Sequence, residues 1–131
     1  MKHFLGVFVF LALVTLPGHA EVVPSSFLWT KRVILLVASG PSQVYDQQIE
    51  VLNRDPQGLA ERHLVIFDRT ATHSQSMRRQ YGAEGADFFF ILVGKDGEVK
   101  LRSKTTVSLG QLYDLIDAMP MRRLEMENAV R

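Results

Sequence analysis

The longest unbroken apolar run outside the N-terminus is Phe88-Phe89-Phe90-Ile91-Leu92-Val93, and its length suits a strand covered on both faces. Asp96-Gly97 then supplies residues that tolerate the positive φ angles of a tight turn, and Val99 and Leu101 alternate with charged positions. The stretch Asp87 to Arg102 therefore reads as a β-hairpin with one central strand and one nearer an edge. Val33-Ile34-Leu35-Leu36-Val37 is a second buried strand, and His63-Leu64-Val65-Ile66-Phe67-Asp68 a third.

Between the strands the apolar period lengthens. Ser39-Gly40-Pro41-Ser42 opens a helix on which Tyr45, Ile49 and Leu52 recur at helical spacing, and Arg54-Asp55-Pro56-Gln57-Gly58 ends it with turn residues. A second helix is predicted from about Thr72 or His73, with Met77 and Tyr81 one turn apart and Gly82 as its C-terminal cap. Ser108-Leu109-Gly110-Gln111 is a capping-box pattern that starts a third helix with Leu109, Leu112, Leu115 and Ile116 in one stripe. Pro120 stops or bends it, and 120–131 reads as a charged tail or frayed helix. Residues 21–30 form a lead-in whose Trp29 is expected to plug one end of the core.

The order is strand, helix, strand, helix, strand, strand, helix. A helix joining the first two strands predicts a parallel βαβ unit, and the hairpin supplies an antiparallel half. This order resembles the thioredoxin core over about Lys31 to Met119. The expected fold class is α/β, thioredoxin-like, with a mixed sheet of about four strands and helices on both faces. The resemblance puts the Val33–Val37 and Phe88–Val93 strands in the centre.

The segment Val93 to Arg102, Val-Gly-Lys-Asp-Gly-Glu-Val-Lys-Leu-Arg, and the segment Leu109 to Arg123 narrow the resemblance further. Together they are similar to an uncharacterised bacterial domain-of-unknown-function family. That family is related to the thioredoxin-like domains of the vertebrate extracellular DUDES and sushi-repeat proteins. The resemblance implies a secreted or periplasmic domain with no established activity.

The N-terminus supports the same compartment. Met1-Lys2-His3 is a short basic start, Phe4 to Leu16 is apolar, Pro17-Gly18 breaks the helix, and Gly18-His19-Ala20 offers small residues for cleavage after Ala20. An uncleaved anchor is the competing reading, but about 13 apolar residues fall short of the roughly 20 needed to cross a bilayer. Residues 1–20 are thus read as a signal peptide, and the mature domain as periplasmic or secreted, with no membrane insertion after cleavage.

The sequence contains no cysteine, which excludes disulfides, thiol nucleophiles, Fe–S clusters and cysteine zinc sites. Removing residues 1–20 leaves 14 basic and 14 acidic residues. A neutral domain has no electrostatic footprint for nucleic acid. The doublets Arg78-Arg79 and Arg122-Arg123, the second followed by Glu125 and Glu127, read as solvated helix faces.

Thioredoxins carry Cys-Gly-Pro-Cys where this chain has Ser39-Gly40-Pro41-Ser42. A serine hydroxyl does not ionise near neutral pH, so dithiol exchange is impossible here. Ala86-Asp87 also stands where the resemblance would place a proline that clamps peptide substrates. The loop itself has two readings: ordinary turn and capping chemistry, or a helix start whose N–H groups and hydroxyls hold an anion.

Ser39, Gly40, Ser42, Asp68, Arg69 and His73 all fall at one end of the predicted sheet and form the candidate ligand-binding set. Ser39 or Ser42 with His73 and Asp68 would supply the residue types of a hydrolytic triad, though no Gly-x-Ser-x-Gly elbow accompanies them. His63 and His73 lie at opposite ends of a strand and do not form a metal site, and no cofactor is expected. Phe88-Phe89-Phe90 reads as core rather than a stacking platform. The reading is a redox-inactive binding or scaffold module whose partner is an envelope protein or a small anionic ligand, with a weak cell-envelope hydrolase as the alternative.

Overall fold

The computed structural model of the protein describes residues 23–131; the expected signal peptide lies outside them. The first strand, β1 (Arg32–Ala38), is buried along its whole length. It pairs in parallel with β2 (Leu64–Phe67), from Arg32 opposite Leu64 to Leu35 opposite Phe67. On its other edge β3 (Phe88–Val93) runs antiparallel, from Val33 opposite Val93 to Ala38 opposite Phe88. β4 (Val99–Ser103) completes the hairpin, and the sheet order is β2-β1-β3-β4. This is the mixed four-stranded sheet of a thioredoxin-like fold, with the two expected strands in the centre.

Strand alternation splits the central side chains between two cores. Ile34, Leu36, Phe90 and Leu92 face Tyr45 and Leu52 of α1 (Gln43–Asn53), Leu59 of α2 (Pro56–Glu61), and Leu112 and Ile116 of α4 (Leu109–Asp117). Val33, Leu35, Val37, Ile91 and Val93 face Met77 of α3 (Gln75–Gln80), together with Tyr81 and Ala83. The lead-in closes that second core: Phe27, in a 3-10 turn at Ser25–Phe27, stacks on Phe67 with ring centroids 6.1 Å apart. Phe88 and Phe90 are core, as the apolar run predicts.

Helix starts follow their capping chemistry. Ser108 Oγ accepts from Gln111 N at 3.1 Å, and Ser74 Oγ accepts from Met77 N at 3.2 Å. The latter fixes the α3 start two residues beyond the expected His73. Gly82, with φ +68, terminates it. In the hairpin only Gly97 adopts positive φ, at +81, and its N–H donates to Gly94 O at 3.0 Å.

Three expectations are corrected. Pro56 begins a further helix, because Asp55 caps it through Gly58 N at 3.0 Å and proline suits its first position. Trp29 does not plug the core: it is 61% exposed and sits at φ +66, while Phe27 and Val23 take the covering role. Residues 120–129 are not a tail but a helix, α5 (Pro120–Ala129), anchored by buried charge.

Gln48 on α1 is fully buried and clasps one residue of the β4–α4 connection at both ends. Its Nε2 donates to Val107 O at 2.9 Å, and its Oε1 accepts from Val107 N at 2.7 Å. Gln48→Met keeps the volume but strips both partners, each orphaned group costing about 1–3 kcal/mol. Urea unfolding should show a loss of about 2–4 kcal/mol at unchanged m-value, although the new residue is the more apolar one.

Candidate functional site

At the C-terminal end of β1 the chain turns through Ser39-Gly40-Pro41-Ser42 into α1. Gly40 takes φ +125, a conformation that L side chains rarely adopt, so glycine is required there. Ser42 Oγ accepts from Tyr45 N at 3.1 Å and is the α1 cap. Ser39 is tied across the sheet to the residues before β3: its Oγ donates to Ala86 O at 2.6 Å and its N–H to Asp87 O at 3.1 Å. Arg78 locks the same corner. Its Nη1 donates to Ser39 Oγ and its Nη2 to Ala38 O, each at 3.0 Å. This arginine of the first doublet is a strut rather than part of a solvated face.

The β2–α3 loop packs beside it. Arg69 Nη1 donates to Gly40 O at 3.0 Å, and its guanidinium lies 4.6 Å from the centre of the Tyr45 ring. Asp68 Oδ1 accepts from Thr70 N and Ala71 N, closing its own turn. His73 Nδ1 meets Thr70 O, which can only accept, so the ring proton sits on Nδ1 and Nε2 points elsewhere. The structure thus gathers Ser39, Gly40, Ser42, Asp68 and Arg69 at one end of the sheet with exposed His73 near Thr70. No hydrogen bond joins either serine to His73, or His73 to Asp68; both serine hydroxyls, Asp68 Oδ1 and His73 Nδ1 are bonded to the backbone or to an arginine.

A second constellation occupies the opposite end of the sheet, and sequence reasoning missed it. Arg32, the first residue of β1, is 1% exposed. Its Nη2 and Nη1 grip the two oxygens of Glu125 on α5 at 3.1 and 3.2 Å, and Nη1 also donates to Arg62 O at 2.9 Å. Lys95, 7% exposed in the hairpin turn, donates to Glu125 Oε1 at 2.5 Å and to His63 Nδ1 at 2.6 Å. Arg122 Nη1 lies 3.7 Å from Glu125 Oε2. Arg122 and Glu125, expected on a solvated face, are the groups that dock α5.

The network runs on through Asp117. Its Oδ1 accepts from Arg62 Nε at 3.0 Å and Arg122 Nε at 3.1 Å, and its Oδ2 from Arg62 Nη2 at 2.8 Å. Arg62 stacks over Tyr113 at 3.7 Å, and Tyr113 Oη donates to Asp55 Oδ2 at 2.9 Å. Burial, reinforced by that bond, pushes the Tyr113 phenol up to about 12. Hydrogen bonds from Arg62 hold the Asp117 carboxyl below its ordinary range.

Burial opposes the Glu125 charge, but Arg32 and Lys95 outweigh it and lower that carboxyl too. His63 moves down, first through burial and then through the Lys95 ammonium, with Glu125 opposing. A lysine ammonium offers only donors, so His63 Nδ1 must accept and the neutral ring carries its proton on Nε2. Among the described residues no group of three His, Asp or Glu side chains is placed to hold a metal ion, and no helix is long and apolar enough to cross a membrane.

Comparison with known proteins adds the lineage. Residues 24–125 match the family described as Domain of unknown function (DUF4174). Among curated proteins, Coiled-coil domain-containing protein 80 of Danio rerio is 26% identical over 140 residues, covering 84% of this chain. The chain spans 16% of that protein's length. No solved structure matches.

The charge network makes two measurable claims. Glu125→Gln leaves Arg32 and Lys95 without their counterion and should cost about 3 kcal/mol, the low end for breaking a buried pair, with faster amide exchange along α5. Acid should weaken the fold in two steps. The His63 contribution is complete above about pH 6.5 and is lost as pH falls toward its lowered folded value; that of Glu125 is complete above about 4.5 and is lost below that. His63→Asn, which tolerates the φ of +53 found there, should abolish the first step alone in unfolding curves taken from pH 8 to 4.

Proposed function

The chain belongs to the DUF4174 domain family, and from that premise we propose that it is an exported, redox-inactive thioredoxin-like domain that works as a binding or scaffold module. The observation that carries this reading is the corner at Ser39–Ser42. It keeps the place in the fold where thioredoxins do their chemistry, yet both hydroxyls are spent on structure, Ser42 as a cap and Ser39 as the knot between β1 and the residues before β3. With no cysteine in the chain, what this end offers a partner is a shape held rigid by Arg69 and Arg78.

Two further points support a module. The likeness to a 16% share of a much longer protein fits a unit that serves inside larger assemblies. The resemblance of Val93–Arg102 and Leu109–Arg123 to a family related to the thioredoxin-like domains of extracellular DUDES and sushi-repeat proteins, together with the Met1–Ala20 pattern, supports work outside the cytoplasm, in the cell envelope or beyond it. The partner is an envelope protein or a small anionic ligand that meets Arg69 and the Gly40 corner. A hydrolase reading has no contact in its favour, since His73 reaches neither serine.

The test is photo-crosslinking in the living host from a probe at exposed Gln43, beside the corner, with a probe at exposed Glu127 on α5 as control. A discrete adduct that forms from Gln43, is absent from Glu127 and is lost in Arg69→Glu is the expected result. Adducts that ignore the Arg69 change, or that form only from Glu127, would remove the corner from the function. Mass spectrometry of the same material should find Glu21 as the mature N-terminus; retention of Met1–Ala20 would sink the assignment of a cleaved signal.

A further inference from the structure

Trp29 carries a side chain that the fold does not use. Its backbone sits at φ +66, a region seldom populated without glycine. What holds it there is Trp29 N–H donating to Lys95 O at 2.6 Å, a bond that glycine would make without strain. Among the described residues the indole makes no hydrogen bond and stacks on no other ring, and it is 61% exposed. Neither packing nor backbone geometry therefore asks for a tryptophan at this position.

The indole borders a cavity of about 380 Å³ between the lead-in, the hairpin turn and the start of α5, a volume within the range of small-molecule sites. Met119, Pro120 and Met121 line it from the α4–α5 junction. Arg32, Lys95, Asp96 and Lys100 line it too, yet its accessible wall is mostly apolar. The charged heads are engaged with one another: Arg32 and Lys95 share Glu125, and Lys100 lies 2.7 Å from Asp96 and 3.5 Å from Glu98. Three cations thus meet three carboxylates. No net charge remains at the wall, and the long side chains cover it with their alkyl stems.

A wall without net charge selects against ions, since an ion would leave its hydration shell and gain no counter-charge. Within the apolar class, the lining favours an aromatic ring over a saturated chain. An indole stacks on a ring and a thioether makes favourable contacts at a ring edge, gains that a saturated body does not receive. Trp29 offers the first, Met119 and Met121 the second.

We infer that this cavity binds a small uncharged aromatic molecule, its ring held against Trp29 by Met119 and Met121. The site lies at the end of the sheet opposite the Ser39–Ser42 corner and stands independently of the reading given to that corner.

Trp29 is the sole tryptophan, so its indole N–H gives a single NMR resonance, and labelled methionine methyls report on the other wall. The full chain is titrated with 2-phenylethanol, and in parallel with phenylacetate, 2-phenylethylammonium and the saturated 2-cyclohexylethanol. Saturable shifts of the indole resonance and of methionine methyls are expected for 2-phenylethanol, with each ion at least about tenfold weaker and the saturated alcohol severalfold weaker. Trp29→Gly, which suits the positive φ, should stay folded and, followed through the methionine methyls, bind at least about tenfold more weakly. If that variant does not fold, Met121→Glu, an acid suited to the first turn of α5, should weaken the alcohol by a similar factor. Failure of 2-phenylethanol to saturate by about 10 mM, ions or the saturated alcohol binding as well as it does, or folded variants that bind unchanged would each overturn the site.

Discussion

β1 has no exposed face and carries a neighbouring strand on each edge, and that constraint governs everything around it. Each of its residues needs cover on the side to which its Cβ points, and each of its backbone groups needs a neighbour in the sheet. β2 meets the second demand as far as Leu35 and β3 from Val33 to Ala38, while Thr72 and Arg78 take Leu36 O and Ala38 O beyond the end of β2; α1, α2 and α4 meet the first on one face, and α3 with the lead-in on the other. Even Thr72, in the loop before α3, turns its hydroxyl to Leu36 O at 2.6 Å rather than to solvent. With no cysteine to form a disulfide, the buried apolar surface of this strand is a main source of stabilisation for a domain of this size.

The strand's first residue breaks the apolar rule. Arg32 shares the burial of its neighbours while carrying a full charge, and such a charge is tolerated inside only when paired and hydrogen-bonded. Glu125 provides this from a helix 93 positions away in sequence, and Lys95, His63 and Arg122 gather on the same carboxylate. The attachment of α5 therefore rests on electrostatics more than on apolar burial: Arg122 is its buried residue, and Leu124 and Val130 stay exposed. Salt and acid act on that seam before they act on the cores.

Where local pattern decides, the sequence was legible. The unbroken runs Val33–Val37 and Phe88–Val93, the Ser108–Gln111 cap and Gly82 name their elements, and the sheet order came from the resemblance of their sequence to the thioredoxin core. The corner residues Ser39, Gly40, Ser42, Asp68 and Arg69 were legible as a cluster because topology alone carries them to one end; that their polar atoms are consumed by Arg78, Tyr45 and the local backbone was not. The other end was illegible for a plainer reason. Arg32, Lys95, Arg122 and Glu125 look like surface charge in sequence, since composition cannot reveal that a carboxylate on the last helix meets an arginine on the first strand. Trp29 misled in the opposite direction, its size suggesting core while its backbone turned it outward.

The two edges of the sheet are guarded unequally. β4 presents Lys100 and Arg102 between its apolar residues, a charged border that discourages a second sheet from adding to it. β2 reads Leu-Val-Ile-Phe with no charge at all, a sequence that invites strand addition. Its protection is brevity: four residues, entered from the left-handed bend at His63 and left through the tight turn of Asp68, give an incoming strand too few hydrogen bonds to hold. Loosening either bend would lengthen that border, so the residues flanking β2 stand between a closed sheet and a self-templating one.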